Sequence, residues 1–188
     1  MTVHKFRTTI DREYLMEEAH RVRWTKTLEF LTDALRPDAS PSQGLDLGDR
    51  TPLTDSLELL FDCPFENTTV DLDTEALSGS FGVVTAFEVL EHLYNPLHLL
   101  LEVRRVLEAP DGRLFVSMPL HKPAFLSSPD HFHEMTYAEA AALFRRAGFS
   151  VVRSGRFRIR RPLFYLTGLK PLLRAWYEKV QIYELAVI

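Results

Sequence analysis

The chain lacks the features that mark secreted or membrane-spanning proteins. Its 188 residues include one cysteine, Cys63, so no disulfide can form within the chain. No stretch reaches the run of about 20 apolar residues that a bilayer-spanning helix needs. Residues 1–7 contain no apolar segment typical of a secretion signal, and we find no internal repeat. The sequence therefore predicts a cytoplasmic protein.

Acidic and basic side chains are unevenly distributed along the chain. Residues 1–144 contain 24 acidic and 12 basic side chains, whereas residues 145–188 contain 10 basic and 2 acidic ones. Within residues 157–179 the basic side chains are mixed with Leu, Phe, Tyr and Trp. That mixture is typical of a helix at a lipid surface and also of an insertion packed on its own domain. Nucleic acid is the less expected partner, because the rest of the chain is acidic.

One stretch places ionisable side chains directly after a predicted buried strand. Residues Gly82–Phe87 form an apolar run rich in β-forming residues, as in the strands of a parallel sheet. Glu88, Glu91 and His92 follow where the strand should end. In open α/β sheets, ligands bind at the carboxyl ends of the strands, so we expect these three side chains to lie at a functional site.

The rest of the chain predicts alternating strands and helices around this stretch. With 46% hydrophobic residues, 188 residues can bury one core, and we expect a single domain. Thr51-Pro52 and Asn95-Pro96 are typical helix starts, and Gly148 is a typical helix end. We predict helices over residues 11–35, 53–61, 96–107, 137–147 and the second half of 163–180. We predict strands over residues 44–48, 67–72, 82–87, 113–118, 149–153 and 181–188.

Two predicted strand ends carry residues suited to a nucleotide-like ligand. The first strand ends at Asp46 and Gly48 and leads into a helix, whose first N–H groups can receive such a ligand. Asp71 and Asp73 stand at the end of the next predicted strand, where a carboxylate can accept both hydroxyls of a ribose. The same pair can equally belong to a polar turn before residues 78–80.

A histidine-rich loop follows the predicted strand 113–118. It contains His121 and the run His131–Glu134. If this strand and the central strand are parallel, the loop emerges beside His92. Its imidazoles have an unperturbed pKa near 6.5, which suits proton transfer at neutral pH. A metal site and a purely structural loop are the alternatives, and we expect no metal.

Several segments together resemble one family. They are Phe81–Pro96, the helix ending Val103–Leu107, the strand Asp111–Pro119 and the segment Ala147–Val152. In combination they resemble the class I S-adenosylmethionine-dependent methyltransferases, most closely the group acting on small molecules, quinones and sugars. The resemblance covers about residues 44–153. It implies an α/β three-layer sandwich with a mostly parallel Rossmann-like sheet and an antiparallel last strand.

Two departures from the family pattern concern the cofactor side. The family has an acidic residue on its first strand, then a Gly-x-Gly-x-Gly turn. Asp46 and Gly48 match this pattern, whereas Arg50 and Pro52 replace the second and third glycines. Only residues 74–80 precede the central strand where the family has a helix and a further strand, so we expect a sheet abridged by one βα unit. The Arg50 side chain can either fill space that the cofactor needs or pair with the cofactor's carboxylate, and we expect the pairing.

The resemblance implies S-adenosylmethionine as cofactor and methyl transfer to a small-molecule or lipid-linked acceptor. A catalytically inactive binding or regulatory module on the same fold is the alternative, and a metal-dependent hydrolase is a more remote one. The domain 1–188 divides into an N-terminal helical cap (1–43), a cofactor-binding core (44–154) and a basic helical insertion with the closing strand (155–188). We predict cofactor contacts at Asp46, Gly48, Asp49, Arg50, Asp71, Asp73, Phe87 and Glu88, and acceptor-side catalytic residues at His92, His131, His133 and Glu134. His92 can instead pack or cap its own loop.

Overall fold

A six-stranded sheet organises the structure, a computed structural model that describes residues 18–35, 41–108, 110–160 and 162–188. The strands are β1 (Gly44–Asp46), β2 (Phe65–Asn67), β3 (Val83–Phe87), β4 (Arg113–Pro119), β5 (Phe149–Phe157) and β6 (Val180–Val187). In space they follow the order β2-β1-β3-β4-β6-β5. The first four run parallel, and β6 runs antiparallel to both of its neighbours. The predicted α/β class with an antiparallel last strand is confirmed.

The helices begin where capping residues of the sequence place them. Within the described residues they are α1 (Glu18–Thr32), α2 (Pro52–Phe61), α3 (Pro96–Val106), α4 (Tyr137–Arg146) and α5 (Leu169–Tyr177). Thr51 caps α2 and Asn95 caps α3, as the sequence predicts, and Thr136 caps α4 in a reciprocal bond with Glu139. Within these ranges, none of the helices has the length and apolar content needed to cross a bilayer.

The sheet lies between two helical layers. Successive side chains of a strand point to opposite faces, and this alternation separates two apolar clusters. On one face Val84, Leu114 and Val116 pack with the apolar stripes of α3 and α4. On the other face Val83 and Phe115 pack with α1 and α2. The three-layer arrangement is therefore confirmed, and α1 belongs to the layer that covers the Phe115 face.

The connection from β2 to β3 is abridged, as the sequence predicts. Residues 68–82 contain no helix and no strand, although the two strands are parallel and lie on either side of β1. This connection packs against α3 instead of forming its own layer. Leu77 is buried there, and its N–H donates to Glu102 Oε2 at 3.0 Å. The sheet consequently ends at β2.

Two strand predictions differ from the structure. The strand predicted over 67–72 is wrong, because β2 covers Phe65–Asn67. Its ladder with β1 stops at the pair Asp46–Asn67, where β1 itself ends, and Asp71 Oδ1 then accepts from the Asp73 N–H and closes a turn. The strand predicted over 149–153 continues to Phe157 along β6. The part of the first predicted helix over residues 11–17 lies outside the described residues.

Candidate functional site

Glu88 joins three elements at the edge where β3 and β4 end. Its Oε1 accepts a bond from the Ser117 hydroxyl of β4 at 2.9 Å, and its Oε2 lies 3.3 Å from Arg23 Nη2 of α1. Its backbone has φ of 56°, a left-handed conformation that costs a residue with a side chain on the order of 1–3 kcal/mol. Backbone strain of this kind is concentrated at functional sites, so Glu88 marks the end of β3 as part of a candidate functional site.

The carboxyl group of Asp46, at the end of β1, is buried and fully engaged. The hydroxyls of Thr54 and Thr85 donate to its two oxygens at 2.6 and 2.7 Å. Burial raises the pKa of Asp46, and the hydroxyl bonds offset part of that rise. The Asn67 amide also donates to the backbone carbonyls of Asp46 and Gly48, at 3.1 and 3.3 Å. Asp46 therefore ties β1 to α2 and β3, and its side chain holds the turn in place.

The space beside Gly48 is open. Its φ is +110°, which favours glycine, and no heavy atom lies within 4 Å of the position that a Cβ would take. The Gly48 N–H is held by the Thr68 hydroxyl at 2.8 Å. A ligand can therefore approach this backbone closely, as the first turn of a nucleotide-binding α/β sheet requires.

Arg50 is held by two carboxylates of α2, the helix that follows it. Its Nη2 lies 2.6 Å from Asp55 Oδ1 and 2.7 Å from Glu58 Oε2, and the bonds with Arg50 lower the pKa of Glu58. It does not occupy the space beside Gly48. The guanidinium that was expected to pair with the cofactor's carboxylate thus already has two anionic partners. Asp49 lies between Gly48 and Arg50 in the same turn.

Asp71 and Asp73 do not stand at a strand end. Asp73 Oδ1 accepts from the Asn95 N–H at 2.7 Å, directly before α3, and Asp71 accepts from the Asp73 N–H at 2.9 Å. The residue that ends β2 is Asn67, whose amide is bonded to the β1 turn. These contacts favour the interpretation of the two aspartates as a polar turn.

The predicted meeting of His92 with the histidine-rich loop is confirmed. The rings of His92 and His131 lie 4.9 Å apart, edge to face. His92 Nδ1 lies 2.9 Å from the Asp130 carbonyl, and His131 Nδ1 lies 2.7 Å from Glu134 Oε1. Although His92 is exposed as a whole residue, desolvation of its ring lowers the pKa of His92, which favours the neutral imidazole. A carbonyl oxygen only accepts, so Nδ1 of His92 carries the proton and Nε2 carries the lone pair.

Glu134 orients this loop. Its Oε1 also accepts from Lys122 Nζ at 2.8 Å. Burial alone would raise the pKa of Glu134, but its bonds to His131 and Lys122 lower it, so the carboxylate is ionised. His133 lies apart from the ring pair, with Nε2 at 3.4 Å from the Tyr94 carbonyl. The structure therefore groups His131 with Glu134 and leaves His133 separate.

Glu91 is the residue whose role the sequence did not reveal. It lies in the short 3-10 helix Leu90–His92, and only 1% of it is exposed. Neither carboxyl oxygen has a hydrogen-bond partner among the described residues. Burial, and then the charge of Glu88, raise the pKa of Glu91 well above its usual range. Its position after a strand end signalled a functional site, but its isolation depends on how the histidine-rich loop folds over it.

Comparisons with known proteins agree with this geometry. Residues 16–154 match the model of a family described as a methyltransferase domain, Methyltransf_23. No curated protein sequence matches the chain. Among solved structures, the N-methyltransferase NodS from Bradyrhizobium japonicum WM9, solved with S-adenosyl-L-homocysteine, has a TM-score of 0.62 at 14% identity, covering 90% of this chain and 87% of NodS. The YcgJ protein from Bacillus subtilis has a TM-score of 0.55 at 14% identity, covering 87% and 99%. The mitomycin 7-O-methyltransferase MmcR has a TM-score of 0.52 at 20% identity, covering 89% and 54%. At these identities the likeness to solved structures shows the fold.

Proposed function

The chain belongs to the methyltransferase-domain family, and on that premise we propose that it transfers a methyl group from S-adenosylmethionine to a small-molecule or lipid-linked acceptor. The observation that carries this proposal is the pairing of two features at one sheet edge. The open side of Gly48 lies after β1, and the imidazoles of His92 and His131 lie after β3 and β4. One half suits a cofactor and the other half suits an acceptor.

The residues present after β1 and β3 fit the cofactor that this family uses. The side of Gly48 is open, so the cofactor would lie against the turn formed by Gly48 and Asp49, while Asp46 fixes that turn from inside. Phe87 and Glu88 would line the end nearest the acceptor. The bound cofactor supplies a methyl group on a sulfonium, and the chain's task is to align the acceptor with it.

The loop from β4 to α4 forms the acceptor side in this proposal. Pro119, Pro123 and Pro129 restrict its backbone, which favours a preformed wall. His133, which lies outside the His131–Glu134 pair, is the residue we propose to take a proton from the acceptor. The reaction needs a base only where the acceptor loses a proton, so alignment by the rest of the loop comes first.

The test is a transfer assay with methyl-labelled S-adenosylmethionine and a panel of phenols, amines and lipid-linked quinone analogues. His133→Gln should lower turnover while leaving cofactor affinity within about fivefold, because the acceptor and cofactor lie on opposite sides of the transferred methyl. His98→Gln, on α3, is the matched control and should keep full turnover. Full turnover of His133→Gln on an active acceptor would remove the base role.

A catalytically inactive module on this fold is the second candidate. Arg50 and Pro52 in the glycine turn, Asn67 at the end of β2 and the missing βα unit favour it. Calorimetric titration separates the two candidates before any acceptor is known. Saturable binding of S-adenosylmethionine and its demethylated product supports the enzyme, and no binding of either at millimolar concentration supports the inactive module.

We also propose that the exposed face of α5 contacts a lipid surface. Leu169, Leu172 and Trp176 recur at helical spacing and are exposed, at 75%, 48% and 74%. The surrounding segment is basic. We expect the protein to sediment with vesicles containing anionic lipid, and Trp176→Ser to reduce that fraction. Absence of sedimentation with either vesicle would contradict a lipid contact, and equal sedimentation with neutral and anionic vesicles would contradict a role for the basic side chains.

A further inference from the structure

Three ligand-type side chains converge at the acceptor side, in a combination that the sequence motif does not suggest. One donor atom from each of Glu91, His92 and His131 lies within 4.8 Å of the other two. Two imidazoles and one carboxylate form a donor set that proteins use for Zn²⁺ and for Fe²⁺. His133, which is part of the His-x-His-Glu run, is not in this set.

Glu91 supplies an independent indication of a cation. It is 1% exposed, and among the described residues neither of its oxygens has a hydrogen-bond partner. A buried carboxyl group without a partner is unfavourable unless it stays protonated or faces a positive charge. A bound cation would replace the proton on this group and compensate its charge.

The two imidazoles are already oriented as metal ligands usually are. Nδ1 of His92 lies 2.9 Å from the Asp130 carbonyl, and Nδ1 of His131 lies 2.7 Å from the Glu134 carboxylate. Metal-binding histidines usually donate one ring N–H to such an oxygen, which fixes the tautomer and directs the other nitrogen to the ion. Both Nε2 lone pairs therefore remain available.

The burial of the three residues describes an open site. Glu91 is buried, His131 is half-buried and His92 is exposed, so an ion can enter from the solvent side. Three protein ligands leave a coordination position for water or for an oxygen of the acceptor. Donor atoms around a tetrahedral Zn²⁺ lie roughly 3.3 Å apart, so binding requires the three groups to close by about 1.5 Å at most.

We propose that Glu91, His92 and His131 bind a divalent transition-metal ion, for which Zn²⁺ is the best match to the donor set. This proposal departs from the sequence analysis, which expected no metal. The carboxylate of the proposed site is Glu91, which follows β3 and is not part of the histidine-rich loop. The proposal does not depend on methyl transfer. An imidazole nitrogen that ligates an ion cannot also take a proton, which is consistent with His133 as the base.

The test is calorimetric titration of the chelator-treated full chain with zinc chloride, without S-adenosylmethionine. We expect one ion per chain. Glu91→Gln and His131→Gln should each weaken binding by more than about 100-fold, the upper range for loss of an outer-shell partner alone. His133→Gln, in the same loop, is the matched control and should bind as the wild type does. Affinity should rise with pH, since the carboxyl group and the imidazoles bind the ion only when deprotonated.

Binding of zinc with equal affinity by all four proteins would overturn the proposal, and so would no saturable binding by the wild type. If Glu91→Gln is not folded by circular dichroism, His92→Gln takes its place, and the visible spectrum of the Co²⁺-loaded wild type reports a nitrogen and oxygen donor set. If the wild type binds zinc and the ligand variants do not, but the wild type transfers no methyl group, the metal site is supported and the proposed methyl transfer is contradicted. Transfer activity without zinc binding would do the reverse.

Discussion

The two halves of the candidate site treat their buried carboxyl groups in opposite ways. At the end of β1, Asp46 receives hydroxyl bonds from Thr54 and Thr85. After β3, Glu91 is just as buried, but neither of its carboxyl oxygens receives a hydrogen bond from the described residues. The first carboxyl group is satisfied by hydroxyls of the protein, whereas the second has no hydrogen-bond partner among the described residues.

This difference separates a group that maintains the fold from groups that act on a ligand. A hydrogen-bonded buried carboxyl group stabilises the elements that it joins, and here those are β1, α2 and β3. A buried carboxyl group without partners lowers stability, and such groups are retained mainly where function uses them. Asp46 therefore supports the turn after β1 from inside, whereas Glu91 is the group that the proposed metal site would use.

The largest expected effect is the loss of stability in Asp46→Ala. The change leaves two buried hydroxyls without their acceptor and creates a void, so the free energy of unfolding should fall by about 3 kcal/mol or more. Urea unfolding followed by circular dichroism measures it. Asp55→Ala, which removes an exposed partner of Arg50, is the control and should show only the small effect of an exposed ion pair. Equal effects of the two variants would contradict the structural role of Asp46.

Replacing Glu91 should have the opposite sign. In the presence of chelator, Glu91→Met removes a buried polar group without partners at similar volume, so the free energy of unfolding should rise by about 1–3 kcal/mol. Burial raises the folded-state pKa of Glu91 above its usual 4.5. The wild type should therefore lose stability as the pH rises from 4.5 through the folded-state pKa, since the folded state holds the proton more tightly.

The pH series is the sharper part of the Glu91 experiment. Glu91→Met should lack the decline that wild type shows above pH 4.5, and thermal unfolding at several pH values measures both proteins. If the variant is less stable than wild type at every pH, Glu91 has a partner that satisfies it. In the same experiment, added zinc should raise the unfolding temperature of the wild type and leave that of Glu91→Met unchanged, because only the wild type has the complete site.

The smallest expected effect concerns Arg50. Its guanidinium is bound by Asp55 and Glu58, so Arg50→Ala should leave the affinity for the demethylated cofactor within about fivefold. Calorimetric titration measures the change. A loss of roughly tenfold to a hundredfold, as from a charged hydrogen bond, would show that Arg50 leaves its helix partners and pairs with the cofactor's carboxylate.

The sequence predicted the architecture well because local signals determined it. Thr51, Asn95 and Thr136 cap helices where their side chains fit, and the missing βα unit was visible as a short connection. The end of β2 was predicted wrongly because the strand stops pairing where its partner β1 ends, and β1 lies far earlier in the chain. No local pattern reports such a contact.

The site was predicted only in part for the same reason. The sequence placed His92 and His131 at one edge, because parallel strands end together. It did not show that Arg50 would be held by α2, or that the histidine-rich loop would leave Glu91 without a partner. Both outcomes depend on side-chain contacts between segments far apart in the chain.

The central claim is that the open turn at Gly48 still holds the methyl-donor cofactor, although Arg50 and Pro52 replace two glycines. Calorimetric titration of the full chain with S-adenosylhomocysteine tests it most directly. We predict one site with a micromolar dissociation constant, about −8 kcal/mol, and clear weakening in Gly48→Val, whose side chain would fill the open space. Absence of binding by wild type at millimolar ligand, or equal binding by folded Gly48→Val, would contradict the account.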